Sequence, residues 1–324
     1  MSGYNELKEY RLQHISSVST DHEKLNLLHD DIIERVVLKA VDEIKSEWDA
    51  PPAHFAFFMM GSAARFEQAI WSDQDHGIIF ESDSEQTQKY FLALGKEISF
   101  GLKEVGYDLC DGQVMASNPR WCKSCEGWIQ QINDWVDEES WESLRYLLTF
   151  FDSRVLVGKR DYLSKVKTTI FERIATNPYL MVRLLENVGH IKKTIGLFGQ
   201  FLPEQYGEHT GSIQIKQSVL FPYVNAMRLL AIKEKVESPS TLSRMRKMPN
   251  YNNEMRHYEK EFSKLLQFRL RFMQDAKNYD DVHYLQLEKL SKEEKKELKR
   301  YVKGGRKLYE EAKRKIEKGC STWS

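Results

Sequence analysis

The chain has 324 residues, 41% of them hydrophobic, so it can bury a core and hold two or three domains. Its 48 basic residues balance 48 acidic residues, which argues against bulk binding to nucleic acid. The polar start, MSGYNELKEYRLQ, differs from a secretory signal peptide, and the longest apolar runs are too short to cross a bilayer. Four cysteines do not make a disulfide framework in a chain of this length. We therefore expect a cytoplasmic protein with reduced thiols that does not bind membranes.

The first fifty residues have the pattern of helices. Between Tyr4 and Trp48 the apolar residues recur at helical spacing, and in DIIERVVLKAVDEIKSEW they form one stripe. The stretch DAPPAH that follows contains two prolines and ends the helical pattern. This predicts an N-terminal helical segment over residues 1–50.

An α/β pattern follows over residues 51–150. The apolar run FAFFMM predicts a short buried strand, and a Gly-Ser turn with a short helix comes next. DHGIIF predicts a second strand, a helical stripe runs from Ser84 to Val105, and YDLCDGQVMA predicts a third strand. Strands that alternate with helices indicate an α/β domain.

After Asn118-Pro119 the pattern is almost entirely helical. The turn-forming stretches NPYL, FLPEQYGEHTG, ESPS and MPNYNN divide the rest of the chain into several helices. We predict a C-terminal helical domain over residues 151–324. The expected fold class is therefore α/β followed by all-α.

Asp73 and Asp75 stand two residues apart at the start of the second predicted strand. Side chains alternate faces along a strand, so both carboxylates point the same way. Two like charges this close repel each other unless a cation or a proton lies between them. Mg²⁺ binds carboxylate oxygens together with substrate phosphates, and two such ions about 3.5–4 Å apart can hold the attacking and leaving oxygens of a phosphoryl-type displacement. The pair therefore predicts a metal site for Mg²⁺, with two ions.

Gly61 and Ser62 supply the other half of the predicted site. Glycine lets the backbone approach a ligand closely, and a serine hydroxyl with the first amides of the next helix can bind phosphate oxygens. Arg65 lies one turn further on and can add a positive charge. The order of strand, Gly-Ser, short helix, Asp-x-Asp and strand places a triphosphate between the helix start and the carboxylates. This spacing predicts metal-dependent nucleotidyl transfer from an NTP.

The same residues carry a resemblance to a known family. The Gly-Ser and Asp-x-Asp elements resemble the signature of the DNA polymerase β-like nucleotidyltransferase superfamily, and more closely the branch related to the uridylyltransferase of the PII nitrogen-signalling protein. GSAARFEQ, SDQD and GYDLCDGQVMASNPRW are similar to a family of nucleotidyltransferases often fused to CBS and cyclic-nucleotide-binding modules. FFDSRVLVGKRDYL and GSIQIKQSVLFPYVNAMRLLAI are similar to later segments of that family. The resemblance covers most of the chain beyond the N-terminal helical segment.

This resemblance implies a polymerase β-like domain with a small mixed sheet, and a C-terminal helical domain that closes over the cleft. It also implies transfer of a nucleoside monophosphate to an acceptor hydroxyl with release of pyrophosphate, of the uridylyl- or adenylyltransferase type, in signal transduction. The acceptor would be a protein or a small molecule. Lys216 and Arg228 match the family pattern and would offset phosphate charge, although acidic partners on a neighbouring helix fit these cations equally well.

Two departures from the family pattern affect the prediction. Gln214 stands where an acid is expected, and the superfamily's third carboxylate has no evident counterpart. Asp111 and Asp108 in YDLCDGQVMA are the candidates, and we favour Asp111 as the third catalytic acid. A nucleotide-sensing module without turnover is the alternative if neither side chain reaches the site.

The stretch WCKSC, residues 121–125, suggests a further alternative. It resembles the thioredoxin-like W-C-x-x-C motif, in which a helix N-terminus lowers the pKa of the first thiol. Cys122 and Cys125 would then be a redox pair. However, no thioredoxin-like order of strands and helices surrounds them, and a zinc site would require two more ligands. We therefore favour the transferase over a thiol redox protein.

Overall fold

The computed structural model describes residues 3–321, with their side chains through residue 318. The chain divides into two compact units, Met1–Arg173 and Ile174–Ser324. This division falls later than the domain boundary expected between residues 150 and 151. A small mixed sheet with N-terminal helices in the first unit, and a mainly helical second unit, confirm the predicted fold class.

The first unit contains a four-stranded sheet among helices. The strands are β1 (Phe55–Met59), β2 (His76–Phe80), β3 (Cys122–Ser124) and β4 (Arg154–Gly158). The helices are α1 (Tyr4–Val18), α2 (His22–Trp48), α3 (Gly61–Arg65), α4 (Glu85–Val105), α5 (Cys125–Glu138), α6 (Trp141–Phe151) and α7 (Arg160–Thr176). In the strand order β3-β2-β1-β4, β1 is antiparallel to β2 and β4, whereas β3 is parallel to β2. The sheet is therefore mixed, as the resemblance implied.

Helices cover both faces of this sheet because neighbouring residues of a strand point to opposite sides. On one face, Phe57 and Ile78 belong to a buried cluster that includes residues of α2 and α4. On the other face, Phe58 packs against Trp128 of α5 and Phe150 of α6, with ring centroids 5.6 and 5.7 Å away. Each such side chain contributes about 1.5–3 kcal/mol by burial. The strand ends that carry the candidate site are thus held in a packed core.

The N-terminal helices are part of the same core. Ile33 and Val36 of α2 are buried in the cluster that contains the inward-facing residues of β1 and β2. Helix α2 begins after Asp21, whose carboxylate accepts the N–H groups of Glu23 and Lys24 at 3.1 Å and so satisfies two free donors of the first turn. The N-terminal helical segment therefore packs with the sheet in the first unit.

The prediction of a third strand within YDLCDGQVMA is wrong. Residues 107–116 are irregular, with a bridge between Asp108 and Asp73, and it is β3, further along the chain, that pairs with β2. A two-residue turn and a positive φ of 55° at Gln113 interrupt the extended backbone that a strand needs. Strand β4 forms the other edge of the sheet, within the stretch FFDSRVLVGKRDYL, for which the sequence predicted no strand.

The second unit is mainly helical. It contains α8 (Leu180–Asn187), α9 (Phe221–Lys233), α10 (Thr241–Lys247), α11 (Asn253–Phe272) and α12 (Lys292–Ser321), with a π-helical turn (Lys216–Leu220) before α9 and two short strands, β5 (Ser212–Gln214) and β6 (Tyr284–Gln286). Helix α12 packs along α9, and Gly304 allows the close approach, because a Cβ there would lie 2.5 Å from the Tyr223 hydroxyl oxygen. None of the helices within residues 3–321 combines the length and the apolar composition that crossing a bilayer requires.

Candidate active site

The pairing of β1 with β2 brings the Gly-Ser element next to the Asp-x-Asp element. Met59 lies opposite His76 in the antiparallel register, and the Met60 N–H donates to the Asp75 carbonyl oxygen at 2.8 Å. Gly61 therefore faces Asp75 just beyond the paired residues. Its φ is +56°, and a Cβ on Gly61 would lie 2.0 Å from Oδ2 of Asp75. Only glycine fits at this position without displacing the carboxylate.

Gln74 fixes the direction of the two aspartates that flank it. Its side chain is buried, and its Nε2 donates to the carbonyl oxygens of Ser99 and Tyr107 at 3.1 Å. Since successive side chains of an extended backbone alternate, Asp73 and Asp75 share the opposite side, where both are partly exposed. The carboxylates are thus held together at the end of β2.

His76 supports this arrangement from inside the core. Its Nδ1 accepts the Ala116 N–H at 3.2 Å, so we assign the proton to Nε2, which donates to Oε1 of Gln74 at 3.2 Å. Burial lowers the pKa of His76 to about 3. His76 is therefore a neutral structural residue near pH 7, in agreement with its predicted place in a strand.

Cys110 joins the two aspartates as a third member of the cluster. The Gln74 N–H donates to the Asp108 carbonyl oxygen at 2.9 Å, within the parallel bridge between Asp73 and Asp108. Cys110 comes two residues after Asp108, as Asp75 comes two residues after Asp73, so the two side chains meet. One ligand atom from each of Asp73, Asp75 and Cys110 lies within 4.8 Å of the other two.

The Cys110 side chain is 8% exposed. Burial raises the pKa of its thiol to about 12, and the charges of Asp75 and Asp73 act in the same direction. With these neighbours alone, Cys110 is a neutral thiol at pH 7. The sequence did not predict a role for Cys110, since the family resemblance implied a third carboxylate at the site. The available signal was the matching spacing of Asp108 and Cys110 with the Asp-x-Asp pair.

Asp111, the favoured third acid, is not a member of this cluster. The side chains of Asp111 and Asp108 are exposed, and neither occurs among the grouped ligands found within residues 3–321. Asp111 lies in a turn in which the Gln113 N–H donates to the Cys110 carbonyl oxygen at 2.9 Å. A catalytic role for Asp111 therefore stays a prediction.

Arg65 is held by two buried carboxylates. Its Nε donates to Oε2 of Glu67 at 2.8 Å, and its Nη1 donates to Oδ2 of Asp152 at 2.7 Å. The exposed fractions of the three side chains are 6%, 4% and 0%. Moving the guanidinium out of this network would leave two buried carboxylates without a positive partner, which is unfavourable in free energy. This network ties the end of α3 to the segment between α6 and β4, and a contact of Arg65 with phosphate stays a prediction.

The remaining predicted site residues lie at the start of α3 and in the second unit. Ser62 is the second residue of α3 and is partly exposed. In the second unit, Nζ of Lys216 donates to the Tyr279 hydroxyl at 3.0 Å, and Nη1 of Arg228 donates to Oδ1 of Asn225 at 3.0 Å. Phosphate binding by Ser62, Lys216 and Arg228 stays a prediction.

The W-C-x-x-C stretch is part of the core. Cys122 in β3 and Cys125 at the start of α5 are both buried. Burial raises the pKa of both thiols, that of Cys125 to about 11. A catalytic thiol pair requires a lowered pKa and access for a reaction partner. The burial of both thiols therefore argues against the redox alternative.

Comparison with known families gives the context for this geometry. Residues 7–142 match the family described as "Putative nucleotidyltransferase DUF294", and residues 178–316 match the one described as "Putative nucleotidyltransferase substrate binding domain". Together the two matches span most of the chain. The chain belongs to this nucleotidyltransferase family. No curated protein matches it significantly.

Membership in this family of nucleotidyltransferases confirms the resemblance at the level of the family and supports an enzyme that uses an NTP. The first match contains Gly61, Asp73, Asp75 and Cys110. The relation to the PII branch stays a prediction.

The donor chemistry of the cluster fits a divalent cation. The carboxylates of Asp73 and Asp75 supply the oxygen atoms that hard cations prefer, and a cation between them removes their mutual repulsion. Their partial exposure leaves a route from solvent. The residues present therefore fit the metal that nucleotidyl transfer requires.

Proposed function

We propose that the protein is an Mg²⁺-dependent nucleotidyltransferase, which moves a nucleoside monophosphate from an NTP to an acceptor hydroxyl and releases pyrophosphate. One observation carries the proposal. Asp73 and Asp75 share one side of the chain at the end of β2, directly beside Gly61 at the end of β1. A triphosphate bound at the Gly-Ser turn would have its phosphates next to the carboxylates.

Each residue has a distinct part in this proposal. Asp73 and Asp75 hold Mg²⁺ through their carboxylate oxygens, and two ions are expected. Mg²⁺ supplies charge that offsets the phosphates and orients them for in-line displacement. Gly61 keeps the turn free of a side chain, and the Ser62 hydroxyl donates to a phosphate oxygen. Gln74 and His76 position the carboxylates from the core.

The transfer itself exchanges one phosphorus–oxygen bond for another. The acceptor oxygen bonds to the α-phosphorus, the bond from that phosphorus to the oxygen bridging to the β-phosphate breaks, and pyrophosphate leaves with the electron pair. The acceptor hydroxyl loses its proton to a base. Asp111, in the exposed turn that follows Cys110, is our candidate for this base.

The second unit supports substrate binding, since its family match is described as a substrate binding domain. We assign the offsetting of phosphate charge there to Lys216 and Arg228. The acceptor is a protein or a small molecule, and the transferred group is a uridylyl or adenylyl group. A cytoplasmic role in signal transduction, as the resemblance implied, belongs to the same proposal.

A second candidate function is a nucleotide-sensing module without turnover. The observation that favours it is Cys110, because a thiol stands beside Asp73 and Asp75 where a transferase of this superfamily is expected to have a third carboxylate. Such a module would bind Mg²⁺ and an NTP and would release no pyrophosphate.

The test uses Mg²⁺ and NTPs labelled at the α-phosphate, incubated with a cell extract as the source of acceptors. We expect label on an acceptor together with released pyrophosphate, and we expect Asp73→Asn and Asp75→Asn to abolish both while the fold is retained. Asp42→Asn is the matched control, because Asp42 is exposed on α2 and outside the cluster. Metal-dependent nucleotide binding without transfer would favour the sensor. Full nucleotide binding by either Asp73→Asn or Asp75→Asn would remove the site assignment itself.

A further inference from the structure

We propose that Cys110 converts the Asp73–Asp75 pair into a binding site for thiophilic divalent cations of the Zn²⁺ class, in competition with Mg²⁺. The inference rests on the proposed function in one respect, since the proposed function assigns the carboxylates of Asp73 and Asp75 to Mg²⁺. Its new element is the sulfur atom, which the requirements of phosphoryl transfer do not explain.

The three donors differ in chemical softness. Mg²⁺ takes oxygen ligands and has little affinity for sulfur. Zn²⁺ and Cd²⁺ bind thiolate together with carboxylate, and thiolate ligands select such ions over Mg²⁺. A site of Asp73 and Asp75 alone would favour the hard cation. The Cys110 sulfur lies within 4.8 Å of an oxygen of each carboxylate. It adds a soft donor and so gives the mixed set that suits the softer ions.

The geometry requires little rearrangement. Zinc lies about 2.0–2.2 Å from carboxylate oxygens and about 2.3 Å from sulfur, so the ligand atoms of a tetrahedral site are about 3.4–3.6 Å apart. Those of Asp73, Asp75 and Cys110 already lie within 4.8 Å of one another. A contraction of at most about 1.4 Å would complete three protein ligands and leave the fourth position open, as in catalytic zinc sites.

The surroundings hold the three donors in different ways. Cys110 is buried beside the carboxylates, whereas Asp73 and Asp75 are partly exposed, so an ion from solvent meets the oxygens before the sulfur. Gln74 is anchored to backbone carbonyls on the core side and restrains both aspartates. Gly61 adds no side chain beside Asp75.

Binding of the softer ion changes only one covalent bond of the protein. The Cys110 S–H bond breaks, its proton goes to water, and the sulfur binds the metal as thiolate; no group is oxidised or reduced. A cation bound by Cys110 and both aspartates takes coordination positions that the two Mg²⁺ ions of the transferase would need. Occupation by a Zn²⁺-class cation therefore excludes the Mg²⁺ that the transfer requires, and the site responds to the supply of thiophilic metal.

The experiment is a Cd²⁺ titration of the nucleotide-free protein, followed by the ultraviolet charge-transfer absorption of a cadmium–thiolate bond. All proteins carry Cys320→Ser, so that this cysteine of the C-terminal end adds no signal. We expect one band that saturates in the parent protein and is lost in Cys110→Ser, and we expect Zn²⁺ to displace it. Cys125→Ser is the matched control, a buried cysteine of the same unit that should keep the band.

The affinities provide the second readout. Asp75→Asn should weaken Cd²⁺ binding at least about 10–100-fold, the range for loss of a group that merely supports a ligand. A band that persists in Cys110→Ser, or an affinity unchanged by Asp75→Asn, would overturn the proposal. The transferase assignment fails separately, if the parent protein in Mg²⁺ binds no nucleotide, because the cadmium band is measured without nucleotide or turnover.

Discussion

Replacement of Arg65 by methionine tests the buried network that links α3 to the segment before β4. Methionine keeps most of the volume and removes the charge, so Glu67 and Asp152 lose the guanidinium that lies 2.8 and 2.7 Å from their oxygens. Breaking a buried ion pair by removal of one partner costs about 3–5 kcal/mol. Both pairs share one cation, so the costs do not add in full, and we expect the free energy of unfolding to fall by about 4–5 kcal/mol.

Arg35→Met is the matched control for this variant. Arg35 lies 2.9 Å from Asp31, but their side chains are 48% and 39% exposed, and such a surface pair contributes about 0–1 kcal/mol. Urea unfolding can be followed by tryptophan fluorescence, because six of the seven tryptophans belong to the first unit. The reasoning would be refuted if Arg65→Met and Arg35→Met were equally stable.

Neutral substitutes for the two carboxylates provide a second test, because they remove the buried charges that Arg65→Met leaves without a cation. The triple variant Arg65→Met, Glu67→Gln, Asp152→Asn should recover part of the loss at neutral pH.

Two further predictions concern the site and the core beneath it. Gly61→Ala places a Cβ 2.0 Å from Oδ2 of Asp75 at a φ of +56°, so it should cost about 1–2 kcal/mol and abolish Mg²⁺-dependent nucleotide binding, measured by calorimetry. Normal binding by this variant would contradict the close approach. Burial lowers the pKa of both His29 and His76 to about 3, whereas the unfolded chain takes up these protons below about pH 6.5. The free energy of unfolding should therefore fall as the pH drops below 6.5, by at most about 1.4 kcal/mol per pH unit for each histidine. The free energy of unfolding, measured in urea at pH 5 and pH 7, should differ less between the two pH values in His76→Gln than in the parent protein. An equal difference would argue against a neutral buried ring.

The strongly apolar strands could be predicted from the sequence. FAFFM and HGIIF are buried on both faces, and this continuous apolar character identified β1 and β2 without knowledge of their partners. Their antiparallel pairing then places Gly61 beside Asp75, which is the relation that the Gly-Ser and Asp-x-Asp spacing predicted. The sequence therefore predicted the part of the candidate site that lies at the adjacent ends of β1 and β2.

The edge strands could not be predicted, because tertiary packing decides them. The three residues of β3 pair with β2 between the buried rings of Trp121 and Trp128, and nothing in CKS alone favours a strand. Strand β4 is only partly buried, and its role depends on pairing with β1 over a long separation in sequence. The cluster contains Cys110 for the same reason, since the bridge between Asp108 and Asp73 sets the register of an otherwise irregular segment.

The position of β4 limits how the protein can be divided into fragments. The first family match ends at residue 142, before Asp152 and before β4. A fragment cut at that residue would expose the hydrogen-bonding edge of β1, which in the whole chain pairs with β4, and unpaired strand edges promote aggregation. It would also remove one of the two carboxylates that hold Arg65. The first family match and the first compact unit thus end at different residues, and a fragment that keeps the whole sheet should extend through α7 to Thr176.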